Sequence, residues 1–104
     1  NAGAQWLNER VQFWEPKVGK AAAKIVVGDL GFRWGSCGKN SVLYFNWRLL
    51  QLPVFLVDYV VAHELVHFHE LNHTPNFWRI LGRVLPDWKE RKDQLSHRSA
   101  EMPW

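Results

Sequence analysis

The segment AHELVHFHELNH, residues 62–73, places four histidines and two glutamates in a stretch that is otherwise largely apolar. It lies within a longer run, from Val54 to about Glu70, that is apolar on nearly every side and therefore predicts a helix buried in the core. Burying imidazoles and a carboxylate without partners costs free energy, so such a helix needs something that binds them. His63 and His67 are four residues apart and project from one helix face, which predicts a shared metal ion.

A glutamate directly follows the first of these histidines, which completes the arrangement H-E-x-x-H. Imidazole nitrogens bind zinc at about 2.0–2.1 Å, and His63 and His67 can supply two of them. Glu64 is placed to reach a water molecule that the ion activates, rather than the ion itself. The sequence thus predicts one zinc ion and a hydrolytic reaction in which Glu64 is the general base.

A catalytic zinc site needs a third protein ligand and an open fourth position. His69 lies about 200° around the helix from the second ligand, so it points away. Glu70 is on the ligand face, but about 10.5 Å along the axis from the first ligand, too far to share one ion on a straight helix. His73 lies beyond the expected helix end, and a left-handed Asn72 would turn the chain back towards the ion. We therefore expect His73 to be the third ligand.

The remaining sequence predicts an α+β domain with strands and helices segregated along the chain. The expected elements are helix 4–18, strand 24–28, a glycine-rich loop, strand 41–47 paired with the first, helix 54–70, helix 75–84 and helix 88–98. Pro16 should end or kink the first helix near Trp14–Glu15. We expect residues 1–3 to be a linker, residues 4–99 to be the domain, as the C-terminal part of a longer protein, and residues 100–104 to be a frayed tail.

Composition indicates a compact globular domain. At 104 residues with 47% hydrophobic content, the chain can form one core, in which Trp6, Trp14, Trp78 and Trp88 are expected. No apolar run reaches the about 18–20 residues that cross a bilayer. The single cysteine, Cys37, excludes an intrachain disulfide and favours the cytoplasm. A net charge of +3 permits an acidic partner such as DNA without indicating one.

These residues belong to a longer pattern. The segment RWGSCGKNSVLYFNWRLLQLPVFLVDYVVAHELVHFHELNHTPNFW, residues 33–78, followed by LPDWKERK, residues 85–92, resembles the YgjP-like metallopeptidase domain, a relative of the SprT and WLM groups of HExxH zincins. The resemblance covers about residues 10–95. It implies a zincin-like fold with a small β-sheet packed over the active-site helix. It also implies that the three histidines assigned above are the zinc ligands and that the glutamate is the catalytic base.

The RWGSC motif, residues 33–37, has two interpretations that the sequence leaves open. In the first it is a loop at the cleft, and Arg33 and Ser36 contact the substrate. In the second it is a tight glycine turn, with Trp34 in the core and Arg33 in a structural ion pair. The strand at 41–46 could in either case bind an extended peptide along its edge.

The sequence favours a zinc-dependent metallopeptidase that acts on a peptide or protein. Hydrolysis of a nucleotide phosphoanhydride is an alternative, which Arg33, Arg48 or Arg79 near the ion would favour because its transition state is negatively charged. A protease-like module acting on DNA-bound proteins is another, implied by the SprT and WLM kinship. Glu64 argues against a purely structural zinc site, which has no use for a base. The histidine spacing also matches metzincins, but these require glycine where Glu70 stands.

Overall fold

The computed structural model describes residues 2–98, which form a helix, a small sheet and three further helices. The elements are α1 (Ala2–Val18), β1 (Lys24–Gly28), β2 (Gly35–Cys37), β3 (Val42–Asn46), α2 (Val54–Val66), α3 (Pro75–Val84) and α4 (Trp88–Arg98). Short 3-10 turns at Lys39–Ser41 and Trp47–Gln51 flank β3. The predicted α+β class is confirmed.

The three strands form one mixed sheet in the order β1-β3-β2, with β1 parallel and β2 antiparallel to β3. Asn40 and Ser41 connect β2 to β3 with φ angles of 60° and 58°, the mirror-image turn that suits the twist of a hairpin. The pairing of β1 with β3 confirms the prediction. The expectation that strand 41–46 offers a free edge is wrong, because β3 is the central strand and both its edges are paired.

Helix α1 is longer than the sequence predicted. It begins at Ala2 and continues to Val18, so the expected end near Trp14–Glu15 is wrong. Pro16 lies in the last turn, where its missing N–H costs a single helical hydrogen bond. A stripe of apolar side chains is buried along the whole helix, and this packing favours the helical conformation up to its end: Leu7, Val11, Trp14 and Val18.

Helix α2 is the centre of the domain. Residues 56–66 are all buried, and α1, α3, α4 and β2 pack around them. The one acidic side chain in the first half of α2, Asp58, accepts two hydrogen bonds of 2.9 and 2.7 Å from Arg10 of α1. This paired geometry compensates the burial of the charge. Because β2 packs against α2, the expected arrangement of a small sheet against a buried helix is confirmed.

The predicted core tryptophans do not all lie in the core. Trp14 is buried, Trp78 and Trp88 are half-buried, and Trp6 is 36% exposed, so the expectation for Trp6 is wrong. Among residues 2–98, no helix is both long and apolar enough to cross a membrane. The tail expected at 100–104 lies outside the described residues.

Candidate metal centre

The Nε2 atoms of His63, His67 and His73 face one another. His63 Nε2 lies 3.2 Å from His67 Nε2 and 3.1 Å from His73 Nε2, and the third side of the triangle measures 3.2 Å. Nitrogens bound tetrahedrally to zinc at about 2.0–2.1 Å lie about 3.3–3.4 Å apart, so the triangle fits a zinc ion closely. Within the part of the chain that the structure describes, no other group of three or more His, Cys, Asp and Glu side chains could share an ion.

Helix α2 supplies two of the three imidazoles, His63 from its last turn and His67 from the position that ends it. The helix ends there because the next two N–H groups bond three residues back instead of four, at 3.0 and 2.8 Å. The expected end near Glu70 is therefore wrong. The Glu70 carbonyl instead accepts a hydrogen bond from His67 Nδ1 at 3.1 Å, which leaves the Nε2 lone pair directed at the other imidazoles.

His73 comes from the turn between α2 and α3. The expectation that a left-handed Asn72 makes this turn is wrong, because Asn72 does not have a positive φ. Instead, the N–H of Thr74 bonds to the Asn72 carbonyl at 2.8 Å, which closes a tight bend around His73. The Thr74 hydroxyl then accepts from the N–H of Phe77 at 3.3 Å and caps α3, so the turn is fixed on both sides.

His69 lies outside the histidine triangle, as the helical spacing predicted. Its Nε2 donates a hydrogen bond of 2.8 Å to the carbonyl of Val18 at the end of α1. The last carbonyls of a helix lack helical partners, so this contact caps α1 and ties it to the chain that follows α2.

Phe77, in the first turn of α3, packs against all three imidazoles. Its ring centroid lies 5.0 Å from that of His63, 4.6 Å from that of His67 and 4.9 Å from that of His73.

Burial lowers the pKa of His63 well below its usual value and also lowers the pKa of His67 and of His73. The positive charge of Lys92 adds to the effect at His63 and His73. The neutral imidazole that burial favours is the form that binds a metal ion.

A cleft of about 400 Å³ opens beside the imidazoles. It brings together every site residue predicted from the sequence: His63, Glu64, His67, His73, Arg33 and Ser36. Four further residues line it, and two of them, Gly35 and Cys37, belong to the RWGSC motif: Phe32, Gly35, Cys37 and Leu71. Burial, and then the charge of Glu64, raise the pKa of the Cys37 thiol to about 11, so it stays protonated at neutral pH.

Glu64 is the buried carboxyl of this cleft, with 3% of its surface exposed. Burial raises its pKa to about 8, and the nearby positive charge of Arg33 opposes that shift. A carboxyl group whose pKa lies near neutrality can both accept and release a proton under ordinary conditions.

The raised pKa of Glu64 predicts that the stability of the metal-free folded protein falls as the pH rises. The unfolded carboxyl titrates near 4.5 and the folded one near 8, so the folded state binds more protons between these values and loses stability as the pH rises. Glutamine does not titrate. We expect Glu64→Gln to raise the melting temperature relative to wild type by about 5 °C or more at pH 8, and by much less near pH 5. Calorimetry with a chelator present measures this; an equal difference at both pH values would contradict it.

Gly35 lets β2 approach the side chain of Glu64. A Cβ atom at Gly35 would lie 3.1 Å from Glu64 Cγ, 3.2 Å from the Tyr44 carbonyl oxygen and 3.3 Å from Phe45 Cδ1. These contacts are closer than ordinary van der Waals separation, and two of the three neighbours belong to the central strand. The side chain of Glu64 therefore occupies its position because residue 35 has no side chain.

Of the three arginines that the nucleotide alternative would bring near the ion, Arg33, Arg48 and Arg79, only the first lines the cleft. Arg48 instead pairs with Asp29 at 3.1 Å and Arg79 bonds to Asn76. Of the interpretations of the RWGSC motif, the core position of Trp34 is confirmed, since it is buried. The structural ion pair of Arg33 is not found: among the described residues, no carboxylate lies within ion-pair distance of it.

Asn46 holds the loop that carries Arg33. It is fully buried, and its Nδ2 donates to the carbonyls of Gly31 at 3.1 Å and of Arg33 at 2.8 Å. Its Oδ1 accepts from the N–H of Arg48 at 3.1 Å, so every polar atom of the amide is used. The sequence alone indicated no role for Asn46, and this bonding explains why an asparagine serves there.

Residues 1–98 match the sequence model of the YgjP-like metallopeptidase domain family. The chain belongs to this family. The fold is similar to that in the crystal structure of the metallopeptidase zymogen of Pyrococcus abyssi abylysin, with a TM-score of 0.79, 19% sequence identity, and coverage of 88% of this chain and 93% of that one. At this identity the likeness shows the fold alone. No curated protein is significantly similar to the chain in sequence. Membership of a metallopeptidase family implies a metal ion, and the three imidazoles are where one fits.

Proposed function

We propose that the domain is a zinc metallopeptidase, in which His63, His67 and His73 hold one zinc ion and Glu64 is the general base. The observation that carries the proposal is the triangle of Nε2 atoms with sides of 3.1–3.2 Å, beside a buried carboxyl in the same cleft. Family membership supports a metallopeptidase, without naming the metal ion or the base. The cytoplasmic location predicted from the single cysteine is part of this proposal.

The mechanism assigns the proton transfers to Glu64. His63, His67 and His73 would hold the zinc ion, which would supply the Lewis acidity that polarises a carbonyl and acidifies water. Glu64 takes a proton from the water that attacks the peptide carbonyl, and then donates it to the leaving amine nitrogen as the C–N bond breaks. One water molecule is consumed, and a carboxylate and an amine are formed. The positive charge of a zinc ion in the cleft would favour the carboxylate form of Glu64, which is the form that accepts this proton.

A peptide substrate is favoured by the outer edge of β2. Among residues 2–98, β2 pairs only with β3, and all three of its residues line the cleft beside Glu64. An extended peptide can bind such an edge through backbone hydrogen bonds. Ser36 lies on this strand and Arg33 lies just before it. Both are available to donate hydrogen bonds to the carbonyl or carboxylate oxygens of the substrate.

The two alternatives have weaker support. Hydrolysis of a nucleotide phosphoanhydride requires cations around several phosphate oxygens, and Arg33 is the one arginine of the described residues that lines the cleft. A protease that acts on DNA-bound proteins should bind DNA itself, with an affinity that falls as salt is added. The chain's net charge of +3 permits such a partner but does not indicate one.

The substrate class can be tested with zinc-loaded protein incubated in parallel with an unstructured polypeptide and with nucleoside triphosphates. We expect new peptide fragments and no release of phosphate or pyrophosphate. The same incubation with a zinc chelator present is the control for contaminating enzymes that need no metal. Turnover of the triphosphates alone would replace the proposal by the nucleotide alternative.

Gly35→Ala tests whether β2 sets the position of the base. The added methyl group forces Glu64 or the strand to shift slightly, and we expect this small misplacement of the base to lower turnover by about tenfold. Zinc affinity should change little, because the imidazoles are not displaced. Gly28→Ala is the matched control, since a Cβ atom there meets nothing within 4 Å and turnover should be kept. Equal turnover by both variants would show that the close contact at Gly35 does not matter.

A further inference from the structure

We propose that Trp78 and Trp88 form a stack that positions His73. The inference rests on the proposed function in one respect, that His73 binds the metal ion. His63 and His67 are oriented by helix α2 and are buried or half-buried, whereas His73 comes from a turn and is exposed. Its imidazole therefore needs another contact to hold it towards the other two.

The Trp78 ring supplies that contact. The centroids of the His73 and Trp78 rings lie 5.5 Å apart with an angle of 30° between the planes, a stacked arrangement. The centroid of the Phe77 ring lies 4.9 Å from that of the same imidazole, and the angle of 75° between the planes is a T-shaped contact rather than a stacked one. Both distances fall in the range in which aromatic rings attract one another beyond simple burial. Two neighbouring residues of α3 thus restrict the rotation of the His73 side chain.

Trp88, at the start of α4, supports Trp78 in turn. Their rings stack at 4.7 Å with an angle of 22°. The chain leaves room for this stack at Gly82 of α3, where a Cβ atom would lie 3.3 Å from Trp88 Nε1 and 3.5 Å from its Cδ1. The ammonium of Lys92 lies 6.0 Å from the centre of the Trp78 ring, a cation–π distance. The stack therefore links α4 to the third ligand.

The consequence concerns metal affinity. A ligand that is already held near its binding orientation loses less conformational freedom when the ion binds, so the affinity is higher than that of a freely rotating imidazole. Groups that orient metal ligands typically contribute tenfold to a hundredfold to affinity. Trp78 is accordingly a positioning residue, which acts on the metal ion through His73.

The test measures zinc affinity by competition with a coloured chelator. We expect Trp78→Ala to weaken zinc binding by about tenfold to a hundredfold, and Trp78→Phe, which keeps a stacking ring, to restore most of the loss. Trp88→Ala should give a smaller loss of zinc affinity. Because it leaves the ring next to His73 intact, it also provides a test if Trp78→Ala does not fold. Trp47→Ala is the control, because Trp47 is 42% exposed and does not line the cleft.

A double-mutant comparison separates positioning from a general effect on stability. In a His73→Ala background the stack has no ligand to hold, so adding Trp78→Ala should change zinc affinity by less than about twofold. A full loss in that background would overturn the proposal, as would wild-type zinc affinity in Trp78→Ala and Trp88→Ala. If the wild-type protein itself does not bind zinc, the proposed function fails instead, and the two failures are distinguishable.

Discussion

Glu64→Gln is expected to lower peptide hydrolysis by about 10²–10⁴-fold while zinc binding is retained, since this is the usual contribution of a general base. Glutamine has nearly the same size as glutamate and fits the buried position, but it cannot take a proton from the attacking water. The measurement is the turnover number on an unstructured polypeptide, with the zinc content of each sample determined.

Glu70→Gln is the matched control for this substitution. The Glu70 side chain does not line the cleft, and its contribution to the site, the hydrogen bond from His67 Nδ1, is made by the backbone carbonyl, which the substitution leaves unchanged. We expect turnover close to that of wild type. Comparable loss in both variants would mean that a general effect of removing negative charge, and not the proton transfer at Glu64, explains the result.

Removing zinc should cost the protein much of its stability as well as its activity. Two of the proposed ligands lie at the end of the central helix and the third in the following turn, so a bound ion would join elements that otherwise rely on packing. Free zinc at about 100 times the dissociation constant stabilises the folded state by about 2.7 kcal/mol. For a domain of this size, that corresponds to a rise in melting temperature of about 10–20 °C. Calorimetry with zinc and with a chelator measures the difference directly.

Two histidine variants connect this shift to the proposed ligands. His63→Ala should abolish the zinc-dependent rise in melting temperature. His69→Ala should keep it, although the loss of the hydrogen bond to Val18 lowers the melting temperature in both conditions. The assignment of ligands would be wrong if His69→Ala lost the zinc response, or if His63→Ala retained it in full.

The sequence predicted the grouping of the three histidines better than it predicted the sheet. His63 and His67 are set by helical periodicity, which depends on local geometry that the sequence displays directly. His69 lies outside the triangle as expected, although it follows the end of α2 and is held there by its hydrogen bond to Val18. Identifying His73 needed the argument that two other candidates point away or lie too far along the helix. The structure brings His73 to the triangle, although by a different turn from the one expected.

The parts that the sequence did not predict depend on tertiary contacts. β2 consists of Gly35, Ser36 and Cys37, which is too short and too poor in β-branched residues to signal a strand, and it becomes one by pairing with β3. Pro16 was expected to end α1, but the burial of Val18 beyond it favours the helix. The stack of Trp78 on His73 joins residues from a turn and a helix, and no periodic pattern in the sequence indicates such a contact.

The most direct test of the central claim is the mass of the fragments that zinc-loaded protein releases from an unstructured polypeptide in water enriched in heavy oxygen. Hydrolysis by water places one heavy oxygen atom in each new C-terminal carboxylate. We predict labelled fragments with the wild-type protein and almost none with Glu64→Gln at equal zinc content. An intact polypeptide after incubation with the zinc-loaded wild-type protein, or equal labelling by the two proteins, would contradict the proposal that Glu64 and the three histidines form a metallopeptidase site.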